Sequence, residues 1–178
     1  MTEATIVEQA PRMISPYSPQ ERTWAALAHL STVITVLLAM ATAGLGGLIT
    51  IFIPLAIYFA FREKSEYVAF HAMQAFALQL VASVGLFLFA VIGFIALILI
   101  WVISVLLIFI LIGLVLIPIS AVLSVAYLVI LVFAPFVLAG FAVAGTFSTA
   151  NGDRFRYPYL APMVERWLHH AEGEPAAL

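Results

Sequence analysis

The chain contains no cysteine, which excludes disulfides, thiolate nucleophiles, Cys-ligated zinc and iron–sulfur clusters. Charge is almost as scarce. Only 9% of the 178 residues are Asp, Glu, Lys or Arg, and a formal net charge of -2 leaves no basic patch for nucleic acid. Residues 70–150, 81 in a row, carry none of these four side chains. Every carboxylate lies outside the long apolar stretches, so neither acid–base catalysis by a carboxylate pair nor a di-metal site can be built within them. Ser83, Ser104, Ser120 and Ser124 have no base near them in sequence and are expected to bond to helix carbonyls. No enzymatic activity is expected.

What is present is apolar surface: 65% hydrophobic residues and a mean hydropathy of +1.19. A soluble domain of this size has no interior large enough for such a run. A bilayer core about 30 Å thick accepts roughly 20 apolar residues per helical span. The short alternating segments of a barrel are missing, so the expected fold is all-α, a polytopic helical membrane protein.

Residues 1–20 hold Glu3, Glu8, Pro11, Pro16 and Pro19 without a basic stretch leading into an apolar one, and are expected to form a flexible tail rather than a cleavable signal. Ser18-Pro19-Gln20-Glu21 then has the pattern of a capping box with proline at the first helical position. Two spans are predicted over residues 23–42 and 48–61, turned at Gly44, Gly46 and Gly47, with a kink near Pro54. The loop Arg62-Glu63-Lys64-Ser65-Glu66 follows. The long block predicts helices over 68–95 and 120–149, while residues 96–119 either extend both helices, lie obliquely around Trp101 or re-enter.

All seven basic residues fall in three clusters, around Arg12 and Arg22, Arg62 and Lys64, and Arg154, Arg156 and Arg166. An even number of crossings puts them on one side. The positive-inside rule therefore favours four transmembrane helices with both termini cytoplasmic, in a bacterial cytoplasmic membrane, with five spans as the alternative. Residues 21–160 make the membrane domain and 161–178 a short interfacial segment. Arg154, Arg156, Tyr157 and Tyr159 suit the headgroup region, and Trp167 lies on a predicted interfacial helix over 163–170. The adjacent pair His169-His170 does not share a helical face and makes a poor metal site.

Four polar residues interrupt the apolar runs. His29 lies about two turns into the first helix, and His71, Gln74 and Gln79 share one side of the third. Ala25, Ala28 and Thr32 give the first helix a small-residue surface for close approach. The expected role of the four is interhelical hydrogen bonding, with no cofactor and no metal. The alternatives are axial ligation of haem or a chlorophyll-type pigment by His29 or His71, and a hydrophilic pathway for substrate or protons, which needs more intramembrane ionisable groups than the sequence holds. Gly140 and Ala144 form a further small-residue pair, usable within the chain or between chains.

Three segments carry a resemblance: Glu21-Arg22-Thr23-Trp24-Ala25-Ala26-Leu27-Ala28-His29-Leu30-Ser31; Phe70-His71-Ala72-Met73-Gln74-Ala75 with Gln79 beyond; and Gly152-Asp153-Arg154-Phe155-Arg156-Tyr157-Pro158. In this order they resemble a bacterial family of small membrane proteins similar to the Tic-twenty subunit of the chloroplast inner-envelope translocon. The resemblance implies a four-helix membrane domain without established enzymatic activity and a distant link to protein import. Between Gln79 and Tyr157 the chain is longer than that pattern by about one helix-sized segment. The expected function is a structural or assembly subunit embedded in the bilayer, packing against other membrane proteins or itself. A component of a translocation pathway, or a pigment- or haem-binding subunit, is the alternative.

Overall fold

The structure is a computed structural model that describes residues 15–42 and 44–171, without the side chains of 169–171. The expected N-terminal tail therefore lies mostly outside the described residues, as do Glu172 and Glu174, and His169 and His170 are described only as backbone. Six α-helices follow in order: α1 (Pro19–Ala41), α2 (Leu45–Thr50), α3 (Ile53–Phe61), α4 (Glu66–Leu106), α5 (Ile112–Ala150) and α6 (Leu160–Ala171), with a 3-10 turn at Leu107–Ile110 between α4 and α5. No strand occurs among the described residues. Three helical stretches, Pro19–Ala41, Glu66–Ile110 and Ile112–Ala150, are long and apolar enough to cross a membrane.

Local chemistry sets the helix ends. The Ser18 hydroxyl accepts from the Glu21 amide at 3.2 Å and the Glu21 carboxylate accepts from the Ser18 amide at 2.8 Å, closing the capping box. Ser65 caps α4 in the same way through the Val68 amide, and its hydroxyl donates to Glu21 at 2.7 Å, tying the two helix starts together. Gly44 adopts φ +96°, a left-handed conformation that glycine takes at little cost, and turns α1 into α2. The kink or change of tilt expected near Pro54 takes the form of a full break. Ile51 and Phe52 separate α2 from α3, and Pro54 stands in the first turn of α3, where its missing N–H leaves no hydrogen bond unmade.

The block 96–119 takes the first of its three options and extends both helices. Ser104 meets Ser120 at 2.8 Å, the Trp101 indole donates to Ser124 at 3.0 Å, and Tyr127 donates to the Ala90 carbonyl at 2.7 Å. Ser124 also donates to a carbonyl of the preceding turn, and Ser104 and Ser120 divide their two protons between such carbonyls and each other, as sequence predicts for the carbonyl bonds. At 1.5 Å per residue, the 41 residues of α4 make a rod about 60 Å long, against about 35 Å for the 23 residues of α1. The distal half of the α4–α5 hairpin therefore projects beyond α1, α2 and α3.

The core lies at the opposite end. Ala25, Ala28, Val68, Ala72 and Ala75, none of them accessible, form the α1–α4 contact, and Tyr58, Tyr67 and Phe70 close it below. α6 docks on this cluster through Ala161 and Val164. On α5 it is Ala142, Gly145 and Thr149 that face inward, whereas Gly140 and Ala144 are exposed, so that small-residue pair is not used within the chain.

The hairpin tip depends on one glycine. A Cβ at Gly113 would run into the Ser104 carbonyl oxygen and the Ile108 backbone, which no side-chain rotation relieves. Gly113→Ala should therefore destabilise the protein by about 1–3 kcal/mol, read as a lowered melting temperature in detergent micelles, whereas Gly85→Ala, where nothing lies within 4 Å, should leave it unchanged or slightly raised.

Candidate functional site

The polar side chains inside the bundle assemble on two levels. The lower level lies near the charged end. There the His29 Nδ1 is 2.9 Å from the Tyr157 hydroxyl, and the His29 Nε2 is 3.2 Å from the His71 Nδ1, with both imidazoles inaccessible. α1 supplies His29, α4 supplies His71, and the segment after α5 supplies Tyr157. Gly145 of α5 makes room for the His29 ring: a Cβ there would come to 3.1 Å from its Cγ and Nδ1. Phe155 stands edge-on to His29 at 5.8 Å between ring centres, and Tyr67 edge-on to His71 at 4.5 Å.

Gln74 acts as a clamp on the same segment. Its Nε2 donates to the Phe155 carbonyl at 3.2 Å, and its Oε1 accepts the Tyr157 amide at 2.9 Å. One primary amide thus satisfies a buried donor and an acceptor of extended backbone, as a neighbouring strand would. Tyr67 adds a second tie, its hydroxyl directed at the carbonyls of Thr149 and Asp153 at 3.1 and 3.0 Å.

The upper level is organised by Gln79. Its Nε2 donates to Ser31 Oγ at 3.2 Å and Thr32 Oγ1 at 3.0 Å, and its Oε1 accepts from Thr35 at 3.0 Å. Ser31 also donates to a carbonyl of its own helix, and Thr35 divides its one proton between Gln79 and the Ser31 carbonyl. Beside this level a cavity of about 690 Å³ opens between α1, α2, α4 and α5, with Thr32, Gln79 and Ser83 at its polar end and leucine, alanine and phenylalanine elsewhere.

The chain of imidazoles has a direction. If Tyr157 donates to His29, then His29 donates to His71 and the His71 Nε2 carries a proton. The reverse polarity leaves both the Tyr157 hydroxyl proton and the His71 Nε2 lone pair unmatched. The first arrangement leaves fewer groups unsatisfied. Burial raises the Tyr157 phenol far above its ordinary value, so it keeps the proton that this polarity requires. The His71 Nε2 and the Arg22 Nε are the buried side-chain atoms without a hydrogen-bond partner among the described residues. No group of three or more His, Cys, Asp or Glu side chains comes together as a metal site among them.

The structure thus joins His29 to His71 and gives Gln74 and Gln79 separate partners, one on the segment after α5 and one on α1. The interfacial set divides. Tyr159 is 93% exposed and Trp167 half exposed, in positions that can reach a headgroup region. Arg154 pairs with Glu66 at 3.0 Å and donates to Tyr17 at 3.1 Å, while Arg156 pairs with Glu165. Tyr157 is not an anchor: at 2% exposure it points inward, because its amide and its hydroxyl both find partners inside the bundle. Ser31, Thr35, Tyr67 and Phe155 escape sequence reasoning. For Ser31 and Thr35 a signal exists, a run of hydroxyls beside Thr32 on an otherwise apolar helix.

Comparison with known proteins corrects the family expectation. Residues 20–117, more than half of the chain, match the MamF/MmsF family, described as the magnetosome magnetite crystal formation protein family. The Tic-twenty-like assignment is overturned by this match. Of the three segments that suggested it, the two around His29 and His71 pack α1 against α4, and the third, 152–158, supplies Tyr157 to His29. No curated protein and no solved structure matches the chain.

The two glutamines should differ in weight. Gln74→Leu strands the buried Tyr157 amide and should cost about 1–3 kcal/mol. Gln79→Leu leaves Ser31 and Thr35 their own helix carbonyls and should cost about 1 kcal/mol or less. Thermal melts of the two variants in the same detergent test this order, and equal losses would contradict it.

Proposed function

This chain belongs to the magnetosome magnetite crystal formation protein family, and from that membership we propose that it is a non-enzymatic structural or assembly subunit of the magnetosome membrane, acting in magnetite crystal formation. The family match carries the reading. Three helices long and apolar enough to cross a membrane support the membrane part of it. The structural part is supported by the use of the buried polar groups: Gln74, Gln79, His29, Tyr67 and Tyr157 all serve contacts between separate segments of the chain.

The same observations weigh against the alternatives. A haem or chlorophyll ligand needs an imidazole nitrogen with open space beyond it. Both nitrogens of His29 are engaged, and the unpartnered Nε2 of His71 belongs to a side chain with no accessible surface. A translocation path needs a continuous polar cavity, whereas the cavity of about 690 Å³ between α1, α2, α4 and α5 is walled mainly by apolar side chains. The family description names neither activity. We place the magnetosome membrane above the cytoplasmic membrane as the location, for the same reason. In this reading α1, α2 with α3, α4 and α5 all reach into the bilayer from the charged face, on which both termini lie.

Two measurements test the proposal together. A tagged chain, expressed in its native host, should fractionate with the membranes that enclose magnetite. Deletion of its gene should shift the size or shape distribution of the crystals seen by electron microscopy. A tag confined to other membranes, or a deletion strain with an unchanged crystal distribution, would overturn it.

A further inference from the structure

Every charged side chain whose place is described lies at one end of the molecule. Glu21 is bonded to Ser65, Arg154 to Glu66 and Tyr17, and Arg156 to Glu165, while Arg62, Glu63 and Lys64 share the short loop between α3 and α4. The other end has none. Its α4–α5 turn is Leu107, Ile108, Phe109, Ile110 and Leu111, with Phe109 91% exposed and Leu111 70% exposed. The polar groups of the distal hairpin, Trp101, Ser104, Ser120, Ser124 and Tyr127, are all satisfied within it. Its outward side chains therefore leave no hydrogen-bond donor free for water or for a protein.

Length makes this a physical problem. α1 alone, about 35 Å, already matches a hydrocarbon core of about 30 Å. A straight hairpin of about 60 Å would carry roughly 25 Å of bare apolar helix past the end of α1 and into water. Association with a second copy would hide some of it, but close helix pairing in lipid relies on small residues spaced four apart or on outward polar groups; along this surface Gly93 is covered by the Tyr127 ring and Gly113 by the turn, and the exposed Ala96, Ala121 and Ala126 include no pair four apart. Hydrocarbon is the partner that such a surface fits.

The fold contains the means to reach it. Continuing the pairing of Ser104 with Ser120 and Ala90 with Tyr127 toward the charged end sets Gly85 of α4 level with Pro135 of α5. A Cβ at Gly85 would meet nothing within 4 Å, so packing gives no reason for a residue that costs a helix about 1 kcal/mol relative to alanine. Pro135 lies inside α5 and removes a hydrogen bond to the carbonyl of Leu131. Both sit where α1 ends, since Ala39 and Met40 share the wall of the 690 Å³ cavity with Leu86, Leu131 and Pro135. Two weak points at one height, beside unfilled volume, form a hinge.

We propose that the α4–α5 hairpin bends at Gly85 and Pro135, and that its distal half, residues 86–134, lies within the hydrocarbon of the same bilayer instead of projecting from it. The tip enters from the charged face and never emerges into water on the other. This placement is independent of the magnetosome reading and would hold in any bilayer of ordinary thickness.

The absence of native cysteine makes the test clean. Phe109→Cys, reconstituted in phospholipid vesicles, should resist a membrane-impermeant maleimide from either face, with Glu63→Cys as the reactive control at the charged end. Combined with Gly85→Ala and Pro135→Ala, which stiffen both helices, the same cysteine should become at least several-fold more reactive from the face opposite the charges. A nitroxide on Phe109→Cys, without the stiffening changes, should be relaxed by oxygen dissolved in the hydrocarbon and not by a water-soluble nickel chelate, a readout that does not depend on the stiffened variant folding. Labelling of Phe109→Cys with the hinge intact, or relaxation by the nickel chelate, would overturn the proposal. So would a disulfide-linked dimer through Cys at 109, which would make a second copy the cover. Unchanged reactivity in a stiffened variant of normal helix content would replace the hinge by a rigid steep tilt.

Discussion

The arrangement of this protein depends on the hydrogen bonds between Gln74 and the backbone of Phe155 and Tyr157. In lipid, apolar side chains gain little by leaving hydrocarbon for one another, so helix packing needs close-fitting small residues and polar contacts to choose one arrangement among many. The clamp supplies that choice. It holds the segment after α5 against α4, which brings the Tyr157 hydroxyl to His29 and, through His29, links α1 to His71 on α4. Three elements far apart in sequence are thereby closed into one polar knot with alanines packed around it. Gln79 adds a weaker second level above, since its hydroxyl partners have helix carbonyls of their own.

This divides the molecule into a well-tied end and a loosely tied one. At the charged end helices meet through buried polar contacts, ring stacking of Tyr17 on Tyr67 at 3.8 Å, and the docked α6. Beyond Gly85 and Pro135 only α4 and α5 continue among the described residues, paired by three serines, a tryptophan and a tyrosine. The family match ends at residue 117, just inside α5. An assembly role fits such a division, with one end rigid enough to present a fixed surface at the membrane face and the other confined to the lipid phase.

Local features are legible in the sequence, and long-range ones are not. The capping box at Ser18 and Glu21 depends on residues three apart and can be read directly. His29, His71, Gln74 and Gln79 stand out because polar side chains inside apolar runs must find partners, although which partner each finds is not readable. Tyr157 reads wrongly as an anchor because Arg-Tyr-Pro composition suits a headgroup layer equally well, and its burial is decided by Gln74, 83 positions away. The extent of α4 and α5 stays open in the sequence because in lipid every face of a helix can be apolar, which erases the periodicity that marks where a helix turns. The mistaken family assignment rests on three short segments, 21–31, 70–79 and 152–158, whose residues serve the packing and hydrogen bonding of this bundle.

The central claim, that the clamp on residues 155–157 holds the bundle together, is tested most directly by hydrogen exchange at the Tyr157 amide of the protein in lipid nanodiscs. This amide belongs to a segment outside any helix, and its acceptor is the Gln74 side chain. Protection comparable to the helical amides of His29 and Ala72 is the predicted result, since opening would then require the bundle to come apart. Exchange as fast as that of the Glu63 and Lys64 loop would contradict the account.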